Sequence, residues 1–113
     1  MLDSFPACPV TGSSLLKPIS CWTQMTAEFR SIEIEYDTFW DESVHDGVAY
    51  FFRWFGEPSA IVLAVFDDRN LTHVEARKIG DIELSKIEIS PIMQAVIGQF
   101  ASAGYTYRFT HQH

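Results

Sequence analysis

Hydrophobic and polar positions change their rhythm several times along this chain of 113 residues, and each change marks a predicted element. Residues 1–24 keep no steady period. Pro6, Pro9 and Pro18 interrupt them, Thr11-Gly12-Ser13-Ser14 is turn-forming, and Leu15, Leu16, Ile19 and Trp22 are placed to pack such an arm across a domain. The prediction is an irregular N-terminal arm over 1–24 and a single α+β domain over 25–113. From Phe29 a period of two sets in. Arg30, Ile32, Ile34, Tyr36 and Thr38 fall on one side, and Ser31, Glu33, Glu35 and Asp37 on the other, which predicts a half-buried antiparallel strand. Asp41-Glu42-Ser43 breaks the alternation, and Asp46-Gly47 signals a turn.

Two runs that are apolar on both sides follow. Val48–Phe55 is aromatic-rich and stops at Gly56-Glu57-Pro58, while Ala60–Phe66 is β-branched and reads as a central strand. Asp67–Asn70 is suited to a tight loop, Leu71–Arg77 to a returning strand, and Gly80-Asp81 to another turn. Ile82 and Leu84 share one parity and Ile87 and Ile89 the other, so a continuous strand here requires a bulge near Ser85-Lys86. Ser90-Pro91 reads as the N-cap and first position of a helix. Ile92, Met93, Val96, Ile97, Phe100 and Ala101 form its apolar stripe, and Gly104 suits its end. Tyr105, Tyr107 and Phe109 alternate with polar neighbours and predict a last strand. The sum is a two-layer α+β domain: a mostly antiparallel sheet of about five or six strands, with one C-terminal helix (about 91–103) packed on one face.

Composition narrows the class. Hydrophobic residues make up 47% of the chain and aromatics 14%, which is globular rather than disordered, and 12.9 kDa suits one core. No apolar run approaches the roughly 20 residues of a membrane span. Met1–Pro9 has no cationic segment followed by an apolar one, so no membrane association and a cytoplasmic location are expected. Cys8 and Cys21 are too far apart in sequence for a C-x-x-C pair and read as two reduced thiols. The alternative is a disulfide, worth about 3 kcal/mol in an oxidising compartment.

Candidate chemistry is sparse. Gly12-Ser13-Ser14 is not a G-x-S-x-G turn, and no Gly-rich phosphate loop is present. The acids fall at turns and on a wet strand face, where the raised pKa of a general acid is not expected. His73-x-Glu75, His45-Asp46, Asp67-Asp68 and His111-x-His113 are too few in each place for a metal centre. No catalytic residue, metal ligand or cofactor is assigned, and a non-enzymatic role is favoured. Net charge is −7, and Arg53, Arg77, Lys78 and Arg108 are scattered, so direct nucleic-acid binding is not expected.

The charge itself is uneven. Residues 28–46 hold Glu28, Glu33, Glu35, Asp37, Asp41, Glu42 and Asp46 against the single Arg30, a local balance of −6 out of −7. On a strand, Glu33, Glu35 and Asp37 stand about 6.7 Å apart along one face. Phe39 and Trp40 stand among them as candidate anchors with a charged surround. The candidate partner-binding set is therefore Glu33, Glu35, Asp37, Phe39, Trp40, Asp41, Glu42 and Asp46. Two plainer roles suit the same residues: protection of a sheet edge by charge, and core packing of Trp40. The functional expectation is a small acidic module that neutralises a basic protein partner, a nuclease or another nucleic-acid-acting protein, in the manner of immunity proteins, antitoxins or phage inhibitors. One alternative is a small-ligand domain or modest enzyme, with Tyr50, Phe52, Trp54, Tyr105 and Tyr107 lining a pocket under the helix and His73 or Arg53 as polar contacts. A second is a structural homodimer.

Overall fold

The computed structural model describes residues 4–34 and 48–108. In chain order the elements are β1 (Leu16–Pro18), α1 (Trp22–Ser31), β2 (Ala49–Trp54), β3 (Ala60–Asp67), β4 (Asn70–Lys78), β5 (Ile82–Glu83), α2 (Lys86–Ser102) and β6 (Thr106–Tyr107). The sheet runs β1-β2-β3-β4-β5, all antiparallel, and β6 lies parallel against β4. The antiparallel sheet and the C-terminal helix on one of its faces are as the pattern predicts.

The apolar run Ala60–Phe66 takes the middle of the sheet because it has no polar side to give to water. Ala60, Val62, Ala64 and Phe66 turn to one face, where they meet Phe52 and Trp54 of β2, Leu71, Val74 and Ala76 of β4, and Ile92, Val96 and Phe100 of α2. Ile61 and Leu63 turn to the other, where they meet Ala49 and Phe51 of β2 and Met25 and Phe29 of α1. Phe100 is the hub on the α2 side, with ring centroids 4.5 Å from Phe66, 5.3 Å from Tyr105 and 6.0 Å from Phe52. Asp67–Asn70 closes β3 onto β4 as predicted, with Asp68 at φ 55° in the turn.

Three expectations are corrected. The strand beginning at Phe29 is instead the end of α1, which the spacing Trp22, Met25, Phe29, Ile32 supports as a helical stripe. Its continuation over 35–38 lies outside the described residues. Within the expected arm, Leu16–Pro18 is a strand registered on β2, and Leu16 and Ile19 are buried as anticipated while Leu15 is exposed. Last, α2 starts at Lys86 rather than Pro91, because Ser85 and Glu88 form a capping box: Glu88 N donates to Ser85 Oγ at 3.2 Å and Ser85 N donates to Glu88 Oε1 at 2.9 Å. The strand expected through Ile89 is thereby cut to Ile82–Glu83.

The remaining arm wraps the β1 edge. Phe5 packs on the α1 side and donates its N–H to Ser20 O at 2.9 Å, whereas Cys8 and Val10 pack on the α2 side. Gly12 returns the chain into β1 at φ +85°, in contact so close that a Cβ would strike the Leu16 carbonyl. No helix among the described residues is long and apolar enough to cross a membrane. Removing the hub ring tests this packing: Phe100→Ala is expected to lower stability by about 3–5 kcal/mol in urea denaturation, and a loss under about 1 kcal/mol would show that the α2 face is loosely packed.

Candidate functional site

The acidic run begins on α1, and its first members have opposite fates. Glu28 turns inward. Its Oε2 lies 3.0 Å from Nε of Arg53, whose guanidinium also donates from Nη1 to Trp54 O at 2.7 Å and Ala60 O at 3.2 Å. The Nε contact is a close ion pair rather than an aligned hydrogen bond. Arg53 is the one buried charged residue among those described, at 7% exposure, and it covers Phe55 with its guanidinium carbon 4.9 Å from the ring centroid. Glu28 therefore ties α1 to β2 and is not part of an outward surface.

Glu33 is the reverse. The end of α1 is a Schellman turn: Ile34 N donates to Phe29 O at 2.9 Å, and Glu33 N donates to Arg30 O at 3.1 Å. Ile34 and Phe29 bury together in the α1-side core, so the turn is fixed by packing as well as by hydrogen bonds. Glu33 occupies the left-handed position of that turn at φ 56°, where glycine is usual, and its side chain is exposed. It stands at the negative end of the helix macrodipole as well. The backbone conformation of a non-glycine residue here costs about 1–2 kcal/mol, and a carboxylate at this pole adds a few tenths more.

Of the predicted site residues, Glu33 alone falls among the described residues; Glu35, Asp37, Phe39, Trp40, Asp41, Glu42 and Asp46 lie outside them. Chain on either side of that stretch is anchored. Ile34 is buried against α1, and Val48 O accepts a 2.7 Å hydrogen bond from Phe66 N at the start of β2.

The α1 side of the sheet also carries a polar row that sequence reasoning treated only as a pair. Register places Arg53, Ile61 and Arg77 side by side, then Phe51, Leu63 and Glu75, then Ala49, Val65 and His73. Arg77 pairs with Asp81 at 2.9 Å and Glu75 at 3.3 Å, and His73 Nε2 lies 3.9 Å from Glu75. Burial works against the Arg77 charge, but the Asp81 hydrogen bond and the charges of Glu75, Asp81 and Glu83 outweigh it and hold the guanidinium above its usual range. The signal that could have revealed this row is the period-two spacing of His73, Glu75 and Arg77 along one strand.

The residues of the ligand-pocket alternative divide between the two faces of the sheet. Phe52 and Trp54 are core residues beneath α2, Tyr107 is exposed, and His73 and Arg53 point to the opposite face. Tyr50 and Tyr105 pack onto Phe66 and Phe100 on the α2 side. Neither cysteine is bonded. Cys21 caps α1, its Sγ accepting from Gln24 N at 3.5 Å, while burial pushes the Cys8 thiol up against a weaker opposing hydrogen bond from Val10. No group of three or more His, Cys, Asp or Glu among the described residues is placed to hold a metal ion. Comparison with models of known families, with curated proteins and with solved structures finds no match.

Two measurements test these assignments. Glu28→Gln leaves a buried guanidinium without its counter-charge and is expected to lower stability by about 1–3 kcal/mol; an unchanged urea midpoint would remove Glu28 from the scaffold. In a Cys21→Ser background, Cys8 is expected to react with a thiol reagent at pH 8 roughly tenfold or more slowly in the folded than in the unfolded chain, and equal rates would contradict its burial.

Proposed function

We propose that this chain is a small acidic protein-binding module that masks a basic partner through residues 33–46, in the manner of an immunity protein, antitoxin or phage inhibitor acting on a nuclease or other nucleic-acid-acting protein. Glu33 is the observation that carries the reading. A carboxylate in a left-handed, glycine-favouring position at the negative pole of a helix opposes folding on two counts. Glycine there would serve the fold better, so the acid serves something outside it.

Charge distribution supports the same reading. With Glu28 turned to Arg53, the six acids Glu33, Glu35, Asp37, Asp41, Glu42 and Asp46 remain in fourteen residues that contain no Lys or Arg. A concentration of that kind steers encounter with a positive cleft, raising the association rate and making it fall with added salt. Phe39 and Trp40 supply the apolar anchors that charge alone does not. Binding of this type needs no catalytic group on the chain, because occlusion of the partner's positive surface is enough.

Affinity capture from lysate at low and moderate salt, with Glu35→Lys/Asp37→Lys/Asp41→Lys as control, tests the proposal. A basic protein retained by the native chain is expected to bind the triple variant at least about tenfold more weakly and with less salt dependence, at nearly unchanged melting temperature. Undiminished binding by the triple variant would overturn it. Glu33→Gly separates fold from function: stability is expected to rise by about 1 kcal/mol while partner affinity falls, and a loss of stability would remove the argument from Glu33.

A further inference from the structure

The chain carries two complete helix-start signals five residues apart, and one helix cannot use both. Ser85 with Glu88 is the first, and it is the one in use. Ser90-Pro91 is the second, with a capping residue followed by the amino acid best suited to the first helical position. Starting at Lys86 puts Pro91 inside α2, where the missing N–H leaves the Ile87 carbonyl without its donor four residues on. It also places Ile87 on the outside of the first turn at 86% exposure, the most exposed large apolar side chain among the described residues.

An alternative place for this segment lies next to it. On the outer edge of β4, β5 is registered on Arg77 and Lys78, and β6 on Asn70 and Leu71. Among the described residues no strand is registered between them. Leu84 N already donates to Ala76 O at 3.4 Å, one rung beyond the end of β5, and Val74, two residues further on, presents its peptide group to the same edge. Continuing that ladder with one extra residue at Ser85-Lys86 sets Ile87 beside Val74, on the side that packs under α2. The apolar parity switch between Ile82/Leu84 and Ile87/Ile89 is what such a bulged strand requires.

We infer that Ser85–Ser90 is a two-state segment: the first turn of α2 in one form, and in the other an extension of β5 along β4 as far as His73, short of the residues that β6 holds, with Ser90 capping an α2 that starts at Pro91. Glu88 is the latch of the helical form. It closes the capping box with Ser85 and grips Lys78 Nζ at 2.8 Å, so one side chain joins the first turn both to its own backbone and to β4. Releasing it frees Ile87 for burial, restores Pro91 to the position where its missing N–H is harmless, and closes the open length of β4. Among the described residues, the helical form leaves that stretch of the β4 edge without a registered strand; the extended form occupies it. The segment thus gates a strand edge.

The test uses the full chain and its backbone NMR spectrum. In Ser85→Ala/Glu88→Gln, Cα shifts of residues 86–89 are expected to move from helical to extended values while 92–102 stay helical. The Val74 amide is expected to exchange at least about tenfold more slowly, because it gains a partner. Pro91→Ala, which repairs the helix interior, is expected to keep 86–90 helical and leave Val74 exchange as fast as in the native chain. A double variant in which 86–90 remain helical, or lose structure with Val74 still unprotected, would overturn the inference.

Discussion

A strand that has no polar side must be covered twice, and in this chain that strand is β3. Ala60, Val62, Ala64 and Phe66 need one layer, and Ile61 and Leu63 need another, so a single C-terminal helix cannot complete the fold. The second helix, α1, answers that need with only two buried residues, Met25 and Phe29, and relies on Phe5, Ile19, Ile32 and Ile34 to finish the cover. Because α1 buries so little by itself, the Arg53–Glu28 pair matters more than an ion pair usually does. It fixes the helix to β2 at the margin of its apolar contact, and the guanidinium's two backbone hydrogen bonds satisfy a charge that would otherwise be stranded in the core.

Where a segment had one strong period, its sequence was legible. The doubly apolar run Ala60–Phe66, the Asp67–Asn70 turn and the stripe from Ile92 to Phe100 all fold as their patterns require. Legibility failed where two periods overlap. Trp22, Met25, Phe29 and Ile32 repeat as a helix, while Ile32 and Ile34 also repeat as a strand, and both isoleucines are buried. The Schellman turn reconciles them. After the left-handed residue Glu33 the chain doubles back, so Ile34 meets Phe29 rather than continuing a pleat. A glycine at position 33 would have announced this turn, and the glutamate conceals it. The start of α2 misled for the opposite reason, since two good signals compete and neither propensity nor spacing ranks a capping box with an ion-paired Glu88 above Ser-Pro.

Acids of the same run do different work according to which way the backbone aims them. Glu28 and Glu33 are five residues apart, yet one neutralises a buried arginine and the other faces water from a position that disfavours it. Net charge alone cannot make that distinction, and neither can the count of acids in a window. Across the sheet the same logic separates Glu75 and Asp81, which serve Arg77, from a freely disposed acidic surface. Among the described residues Glu33, Glu57, Asp67 and Asp68 stay exposed outside these pairings, and the proposed function rests on Glu33 together with the acids that follow it in the sequence.

The N-terminal arm crosses the β1 edge, with Phe5 seated on one side of the sheet and Cys8 and Val10 on the other. A passage of a few residues therefore closes both cores at their shared border, and it is held by the backbone bond from Phe5 to Ser20 and by a turn that only glycine fits at position 12. The two layers are in this respect a single mechanical unit. Lifting the arm would admit water to the α1 core and the α2 core together, which makes the least regular part of the chain the hinge on which the cooperativity of the whole depends.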